Sequence, residues 1–403
     1  MSTASQKIEQ RPSQAEGDLI AAAVVPADDQ NDIDSIYSET QSSTASLASS
    51  ILEYRQSNGR TYHSDKFTTN YFLPNDDQQL ESDKLCHHYL TILLDDKLFL
   101  APLEKEKIHR VLDVGTGSGV WAIEFGDLFP NASVIGTDLS PCQPQWVPPN
   151  VRFEVDDASL EWTWDENHFD FIHIRYILGG IQDWTALLKE AYRCCAPGGW
   201  VQSAEIDLDF RSDDGSTELE PVLATYGDLF REGGRILNRP FFLQEIQQQA
   251  FDEAGFVEKT VARYKIPIGP WAKDPKLAEV GRFTAAALEN DLQGYTQMVW
   301  QNVPKTPADE YHVWLANMRK AIRNPKVHSY LTVHIVYGLE HPKVLAFLKR
   351  LRPAFTPPTR RAIANKYLDR AYASMKTKFD ETLIIRWARN SPVCEFTPAV
   401  SLE

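Results

Sequence analysis

Cysteine is scarce and unpatterned in this chain: five residues in 403, at Cys86, Cys142, Cys194, Cys195 and Cys394, with no Cys-x-x-Cys pair and no Cys/His cluster at ligand spacing. Neither a zinc site nor a disulfide framework is expected, no metal is assigned, and the cysteine usage suits a reducing compartment, cytoplasm or nucleus. No apolar run reaches the roughly 20 residues that a membrane helix requires. The start, MSTASQKIEQRPSQAEGDL, has no apolar stretch behind basic residues. A membrane partner and a secretory signal are therefore not expected.

Positive charge is also short over most of the chain. The net charge is −15, and residues 1–340 carry 29 Lys/Arg against 51 Asp/Glu. Such a surface repels phosphate, so nucleic acid is not expected as a partner of the main body. From His341 onward the balance reverses, with 12 Lys/Arg against 5 Asp/Glu, which sets 341–403 apart as a basic helical extension. Large apolar residues are sparse in residues 1–50, a stretch rich in Ser, Gln, Asp, Glu and Ala. It cannot bury enough surface to offset its ordering entropy, so a disordered leader is expected there.

What is present elsewhere is ample apolar material, 43% of the chain. Order is expected from about Ile51. Asn75 or Asp76 can cap a helix in which Leu80, Leu85, Tyr89, Ile92 and Leu93 recur near helical spacing, giving a helical cover over 76–100. From Arg110 short apolar strands alternate with amphipathic helices: RVLDVG, VWAIEFGDLF, SVIGTDL, VRFEVDDA, FDFIHIRY, WTALLKEAYRCC, WVQSAEIDL. That alternation predicts a parallel, doubly wound α/β sheet with helices on both faces. A helix over PFFLQEIQQQAFDEAGF, a strand VEKTVARYKIPIG, two helical stretches within 271–330 and a final strand SYLTVHIVYGL complete the pattern.

Ligands of open α/β sheets bind at the carboxyl ends of strands, at the switch point. The first strand ends there in VLDVGTGSG, where Gly115, Gly117 and Gly119 let backbone approach a ligand and the next helix aims free N–H groups into the cleft. The spacing is G-x-G-x-G, whereas a dinucleotide site uses G-x-G-x-x-G. Asp113, two residues before the first glycine, would repel a pyrophosphate and attract an ammonium and a sulfonium. Asp138 ends the second strand, 19 residues past Gly119, where a carboxylate can accept both ribose hydroxyls. Asp156 and Asp157 end the third, placed to accept the adenine amino proton. The three acidic strand ends favour S-adenosylmethionine over NAD.

With these residues the chain resembles the class I S-adenosylmethionine-dependent methyltransferases from about Arg110 to Gly338: VLDVGTGSG, the acid of TDLS, the DDA after strand three and the APGG turn before strand five. The flanking segments NGRTYHSDKFTTNYFLPND, IHIRYILGGIQDW, GGWVQSAEIDLDFRSDDG and HSYLTVHIVYG, with Trp121, are similar to the LaeA-like fungal methyltransferases, also described as TAM-domain proteins, over residues 55–340. The resemblance implies a Rossmann-like methyltransferase domain over 51–340 that acts in or regulates secondary metabolism. It implies cofactor contacts at Asp113, Gly115, Thr116, Gly117 and Gly119 around the methionine part, at Asp138 for the ribose, and at Asp157 with Ala158 for the adenine. Arg175 and Tyr176 would face the methyl group. The tail LAFLKRLRPAFTPPTRRAIANKYLDRAYASMKTKF is similar to a helical stretch of hAT-type transposases, without an acidic catalytic core.

Methyl transfer asks the protein mainly to align the reactants and exclude water. No catalytic residue is assigned. His173, Tyr176 and Glu205 are the titratable groups near the strand ends; His173, mid-strand, fits a core role, and Glu205 faces either the cleft or a helix. The 271–330 insertion, with Trp271, Phe283, Tyr295, Trp300, Tyr311 and Trp314, is placed to act as an aromatic lid over a planar or apolar acceptor, or as ordinary core for added helices. Three functions compete: a methyltransferase acting on a small-molecule acceptor, a cofactor-binding regulator that works through protein partners, and an NAD-dependent reductase.

Overall fold

Asn58 and Gly59 both sit at positive φ, 50° and 77°. Two such residues make the tight turn whose twist matches that of flanking antiparallel strands, and here they join β1 (Tyr54–Ser57) to β2 (Arg60–Ser64). The computed structural model describes residues 53–67, 69–303 and 310–341. The expected leader, and the basic extension beyond its first residue, lie outside the described residues.

The cover helix α1 spans Asp77–Leu93, shorter than the expected 76–100, and Asp76 caps it by accepting a hydrogen bond from the Gln79 N–H at 3.2 Å. The alternating stretch then gives β3 (Arg110–Val114), α2 (Val120–Leu128), β4 (Ser133–Asp138), β5 (Val151–Val155), β6 (Phe169–Arg175), α3 (Trp184–Cys194) and β7 (Cys195–Arg211). After it come α4 (Val222–Leu237), α5 (Gln244–Ala254), β8 (Val257–Pro267), α6 (Pro275–Asn302), α7 (Glu310–Ile322) and β9 (Tyr330–Leu339).

Seven strands form one sheet in the order β5-β4-β3-β6-β7-β9-β8. Neighbours β5 through β7 pair in parallel, as the alternation predicts. The last strand, whose direction the sequence pattern does not give, runs antiparallel: β9 lies between β7 and β8. Pro267, the last residue of β8, lies opposite Tyr330, the first of β9. The chain between them thus leaves and re-enters at one edge of the sheet, which reverses the strand direction.

Both faces are covered, so the central strands are largely apolar, with a few buried polar residues such as Asp113, His173 and Glu205 among them. Val111 and Leu112, neighbours on β3, enter different core clusters. The Val111 side packs on Trp121 and Phe125 of α2, and Ala204 on that face meets Tyr89 and Leu90 of α1 and Ala287 of α6. The Leu112 side packs on Leu187 and Leu188 of α3, Phe230 of α4 and Phe251 of α5.

Helix α4 has no counterpart in the sequence reading. Gly227, Gly233 and Gly234 depress its helix propensity, but a Cβ at Gly227 would stand 2.2 Å from Asp209 Oδ1 and one at Gly233 2.3 Å from Val299 Cγ1. Close packing, not propensity, selects glycine there. In α6, Asp291 has non-helical φ/ψ (−136°, 39°), and its side chain accepts from the Gly294 N–H at 2.9 Å. The helix is interrupted and recapped at that point.

Candidate functional site at the strand ends

The carboxyl ends of β3, β4, β5 and β6 meet at one cavity of about 170 Å³, roofed by α1 and touched by α6. The glycine turn after β3 forms its floor. Gly115 has φ 68°, and a Cβ there would lie 2.3 Å from Ile177 Cγ2. Gly119 starts α2 at φ 79°, and its Cβ would strike the Phe153 ring at 2.5 Å. The Thr116 N–H donates to Thr137 O at 2.8 Å, clipping the turn to β4.

Of the residues singled out from the sequence, Gly115, Gly117, Asp138, Asp157, Ala158, Arg175 and Tyr176 line this cavity. Asp113, Thr116 and Gly119 do not; they stand behind it. Asp113 is buried, with Oδ2 accepting from the Thr116 hydroxyl at 2.6 Å and Oδ1 from His173 Nδ1 at 2.7 Å. Its oxygens organise the turn and the strand beside it. His173 in turn stacks on Trp121 at 3.8 Å and 6°, and burial pushes its pKa down, so a neutral ring buttresses the motif from the core.

Asp138 accepts from the Gly117 N–H at 2.9 Å and the Ser140 N–H at 3.0 Å. Burial pushes its carboxyl up to about 6, while those two bonds pull it down and Asp83 and Asp113 add repulsion. Asp157 ties β5 to the segment before α1: its Oδ1 accepts from the Thr69 hydroxyl at 2.7 Å and the Ser159 hydroxyl at 2.6 Å, and its Oδ2 from the Thr69 N–H at 3.2 Å. Arg175 Nη1 donates to His87 Nδ1 at 3.2 Å; burial first, then the guanidinium, pushes His87 down to about 3 and keeps it neutral.

Tyr176 is a bulky residue at φ 56°, a conformation stored only where surroundings over-determine it. Three contacts hold it. Its N–H donates to Ala204 O at 3.0 Å, its carbonyl accepts from Tyr71 Oη at 3.1 Å, and its hydroxyl lies 3.2 Å from that of Tyr89. Next to it Glu205 accepts from the Ile177 N–H at 3.2 Å and the Leu178 N–H at 3.1 Å. Glu205 thus faces neither of the two places the sequence left open but the loop after β6, which it holds. Burial raises its carboxyl to about 8.

Helix α1 brings residues that no motif announced. Asn75, Gln79, Asp83 and Cys86 line the cavity from the side opposite the strands. Asn75 Oδ1 and Gln79 Oε1 are buried without a hydrogen-bond partner. Asn75 lies just before the helix cap and Gln79 in the first turn, and nothing in the sequence marks either as facing a ligand. His63 also lines the cavity, but its Nε2 accepts from the Tyr71 N–H at 2.9 Å, leaving Nδ1–H for Ser64 O at 2.9 Å. Both nitrogens are committed, so it offers no free base.

Of the six aromatic residues named above within 271–330, Tyr295 lines the cavity, its hydroxyl 3.8 Å from Cys86 Sγ. Trp300, Tyr311 and Trp314 pack on one another at 5.1–6.2 Å between centroids. Phe283 meets the His88 ring at 4.3 Å, and Trp271 donates to Ser329 O at 3.0 Å. Trp300, Tyr311 and Trp314 are buried core, Phe283 and Trp271 are partly buried away from the cavity, and the roof over the cavity is mainly α1.

The set of acceptors fits a cationic nucleoside. Asp83, Asp138, Asp156 and Asp157 surround the cavity against one guanidinium, Arg175, among its described lining residues. A pyrophosphate would meet four carboxylates, whereas a ligand with an ammonium, a sulfonium and hydroxyl donors is attracted by them and can satisfy the two orphaned amide oxygens. Among the described residues no group of three or more His, Cys, Asp and Glu could hold a metal ion, and no helix is long and apolar enough to cross a membrane.

Comparison with known proteins agrees with this chemistry. A family described as "Methyltransferase domain" matches residues 86–257. The chain is 35% identical over 316 residues to methyltransferase pytC of Aspergillus terreus, covering 77% of this chain and 95% of that one. It is 30% identical to the secondary metabolism regulator LAE1 of Cochliobolus heterostrophus, covering 69% and 92%. It is 28% identical to the protein-methionine methyltransferase laeA of Emericella nidulans, covering 70% and 75%. The chain belongs to this family of class I S-adenosylmethionine-dependent methyltransferases. Its cofactor is S-adenosylmethionine, and its fold is the Rossmann-like α/β sheet of that class.

Proposed function

We propose that the protein transfers a methyl group to a small-molecule acceptor of secondary metabolism, in the cytoplasm or nucleus. The observation that carries this reading is the aromatic and apolar part of the cavity lining, Tyr71, Tyr176 and Tyr295 with Ile177 and Ile181. A planar or apolar molecule fits such a wall. The similarity to pytC over nearly all of that protein's length supports it.

Within this reading Asp138 holds the ribose hydroxyls, Asp157 and Ala158 the adenine edge, and Gly115, Gly117 and Arg175 the methionine part, with Asp113, Thr116 and Gly119 shaping the turn. The bound cofactor supplies an already activated methyl group. The protein then has to orient the acceptor and keep water out. Glu205 fixes the loop that carries Tyr176, and Tyr71 fixes the Tyr176 carbonyl. His63, the histidine among the described residues that line this cavity, has both ring nitrogens engaged, so the acceptor's proton leaves without help from it.

A second reading, a regulator that binds the cofactor and acts through protein partners, is favoured by the similarity to LAE1. Metabolite extracts from a strain lacking the protein, and from one carrying Asp138→Ala, separate the two. Loss of one methylated product, with its unmethylated form accumulating in both strains, supports the first. Loss of many unrelated metabolites supports the second.

A further inference from the structure

Helix α1 carries a polar stripe on its cavity face. Gln79 and Asp83 stand four residues apart, the spacing that stacks side chains on one side of a helix, and Asn75 precedes them just before the Asp76 cap. At its start, Asn75 Nδ2 donates to Ser140 Oγ at 3.0 Å, and the Ser140 N–H donates to Asp138. This end of the stripe therefore adjoins the Asp138 carboxylate. Gln79, one turn on, is 8% exposed, and its Oε1 has no partner. A buried amide oxygen left unpaired costs free energy unless a ligand donor meets it.

At the other end, Asp83 Oδ2 accepts from the Ser118 N–H at 3.1 Å and from the Ser118 hydroxyl. Its Oδ1 makes no hydrogen bond among the described residues. A Cβ at Gly117 would lie 3.1 Å from Oδ2 and 3.7 Å from Oδ1, so this carboxylate stands over the glycine turn. Four residues of helix rise about 6 Å, comparable to the span between a ribose and an amino group at the far end of a thioether-linked chain.

We propose that α1 reads both ends of the cofactor: Gln79, with Asn75, accepts from the ribose hydroxyls opposite Asp138, and Asp83 pairs with the α-ammonium opposite the glycine turn. The proposal rests on the ribose lying at Asp138. The stripe makes the cover helix part of the binding site, and Asp83 does the electrostatic work that the motif acid Asp113, turned inward, does not.

Calorimetric titration of the full chain with S-adenosylhomocysteine and with 5′-methylthioadenosine, which lacks the amino acid part, tests it. Gln79→Leu weakens both ligands by about tenfold, the scale of one hydrogen bond. Asp83→Asn weakens S-adenosylhomocysteine by at least about tenfold, the scale of a charged contact, and leaves 5′-methylthioadenosine unchanged. Asp83→Glu and Ser118→Ala retain the preference for the amino acid part. The proposal is overturned if Asp83→Asn weakens both ligands alike, if Ser118→Ala reproduces its effect, or if Gln79→Leu changes neither. If Asp138→Ala leaves 5′-methylthioadenosine binding intact, the ribose placement itself falls, whatever the α1 variants do.

Discussion

Arg60 grips Asp291 across 231 residues of chain, Nη1 to Oδ1 at 2.6 Å and Nη2 to Oδ2 at 2.7 Å. The same guanidinium also holds Asp76, the cap of α1, with Nη2 to Oδ1 at 2.7 Å. One side chain thus fastens the β1–β2 hairpin, the start of the cover helix and the break in α6. Burial pushes the Asp291 carboxyl up and Arg60 pulls it back. Arg60→Leu should cost about 3 kcal/mol of stability, because it leaves a buried carboxylate without its partner. Urea denaturation measures this, and adding Asp291→Asn in that background should recover part of the loss.

With the ribose placed at Asp138 as proposed, this carboxyl should govern the pH dependence of cofactor affinity. Its carboxyl titrates at about 6, and hydroxyl donors are held by the ionised form. Affinity for S-adenosylhomocysteine should therefore fall as pH drops through about 6 and level off above 7. Asp138→Asn should flatten that profile, and Asp138→Ala should weaken binding by about 1–3 kcal/mol. An unchanged affinity for the alanine variant would remove the ribose assignment.

Glu205 has a folded-state pKa raised to about 8 from an ordinary 4.5. A raised carboxyl stabilises the fold below the unfolded value and loses that contribution as pH rises through the folded one. Glu205→Gln should gain on wild type as pH rises from 5 to about 9. Thermal melts of the two proteins across that window check the sign; a Tm difference independent of pH would contradict it.

Gly115→Ala combines a left-handed backbone with a Cβ 2.3 Å from Ile177 Cγ2. Strain of this kind costs on the order of 1–3 kcal/mol before the clash is counted. Adding Ile177→Ala should relieve the clash alone, so the double variant should recover only partly in thermal stability and in cofactor affinity.

The strand–helix alternation from Arg110 to Leu339 was legible because apolar periods of 2 and 3.6 alternate there. The reversed β9 was not, since direction depends on where the 271–330 excursion ends and not on the composition of the strand. Helix α4 was hidden by glycines chosen for close approach to Asp209 and Val299. At the site, Asp138 announced itself by its place after a strand. Asp113 was equally visible, but its orientation is set by His173, 60 residues away. Asp83 was invisible because it reaches the glycine turn only when α1 folds over it, and Ser118, its partner, lies 35 residues on.

An acidic cleft of this kind should receive a cationic adenosyl cofactor and refuse a pyrophosphate. Isothermal titration of the purified chain with S-adenosylhomocysteine and, separately, with NADH tests it most directly. Saturable binding of S-adenosylhomocysteine that Asp138→Ala weakens, with no heat from NADH, is the predicted result. Binding of NADH with none of S-adenosylhomocysteine would contradict it.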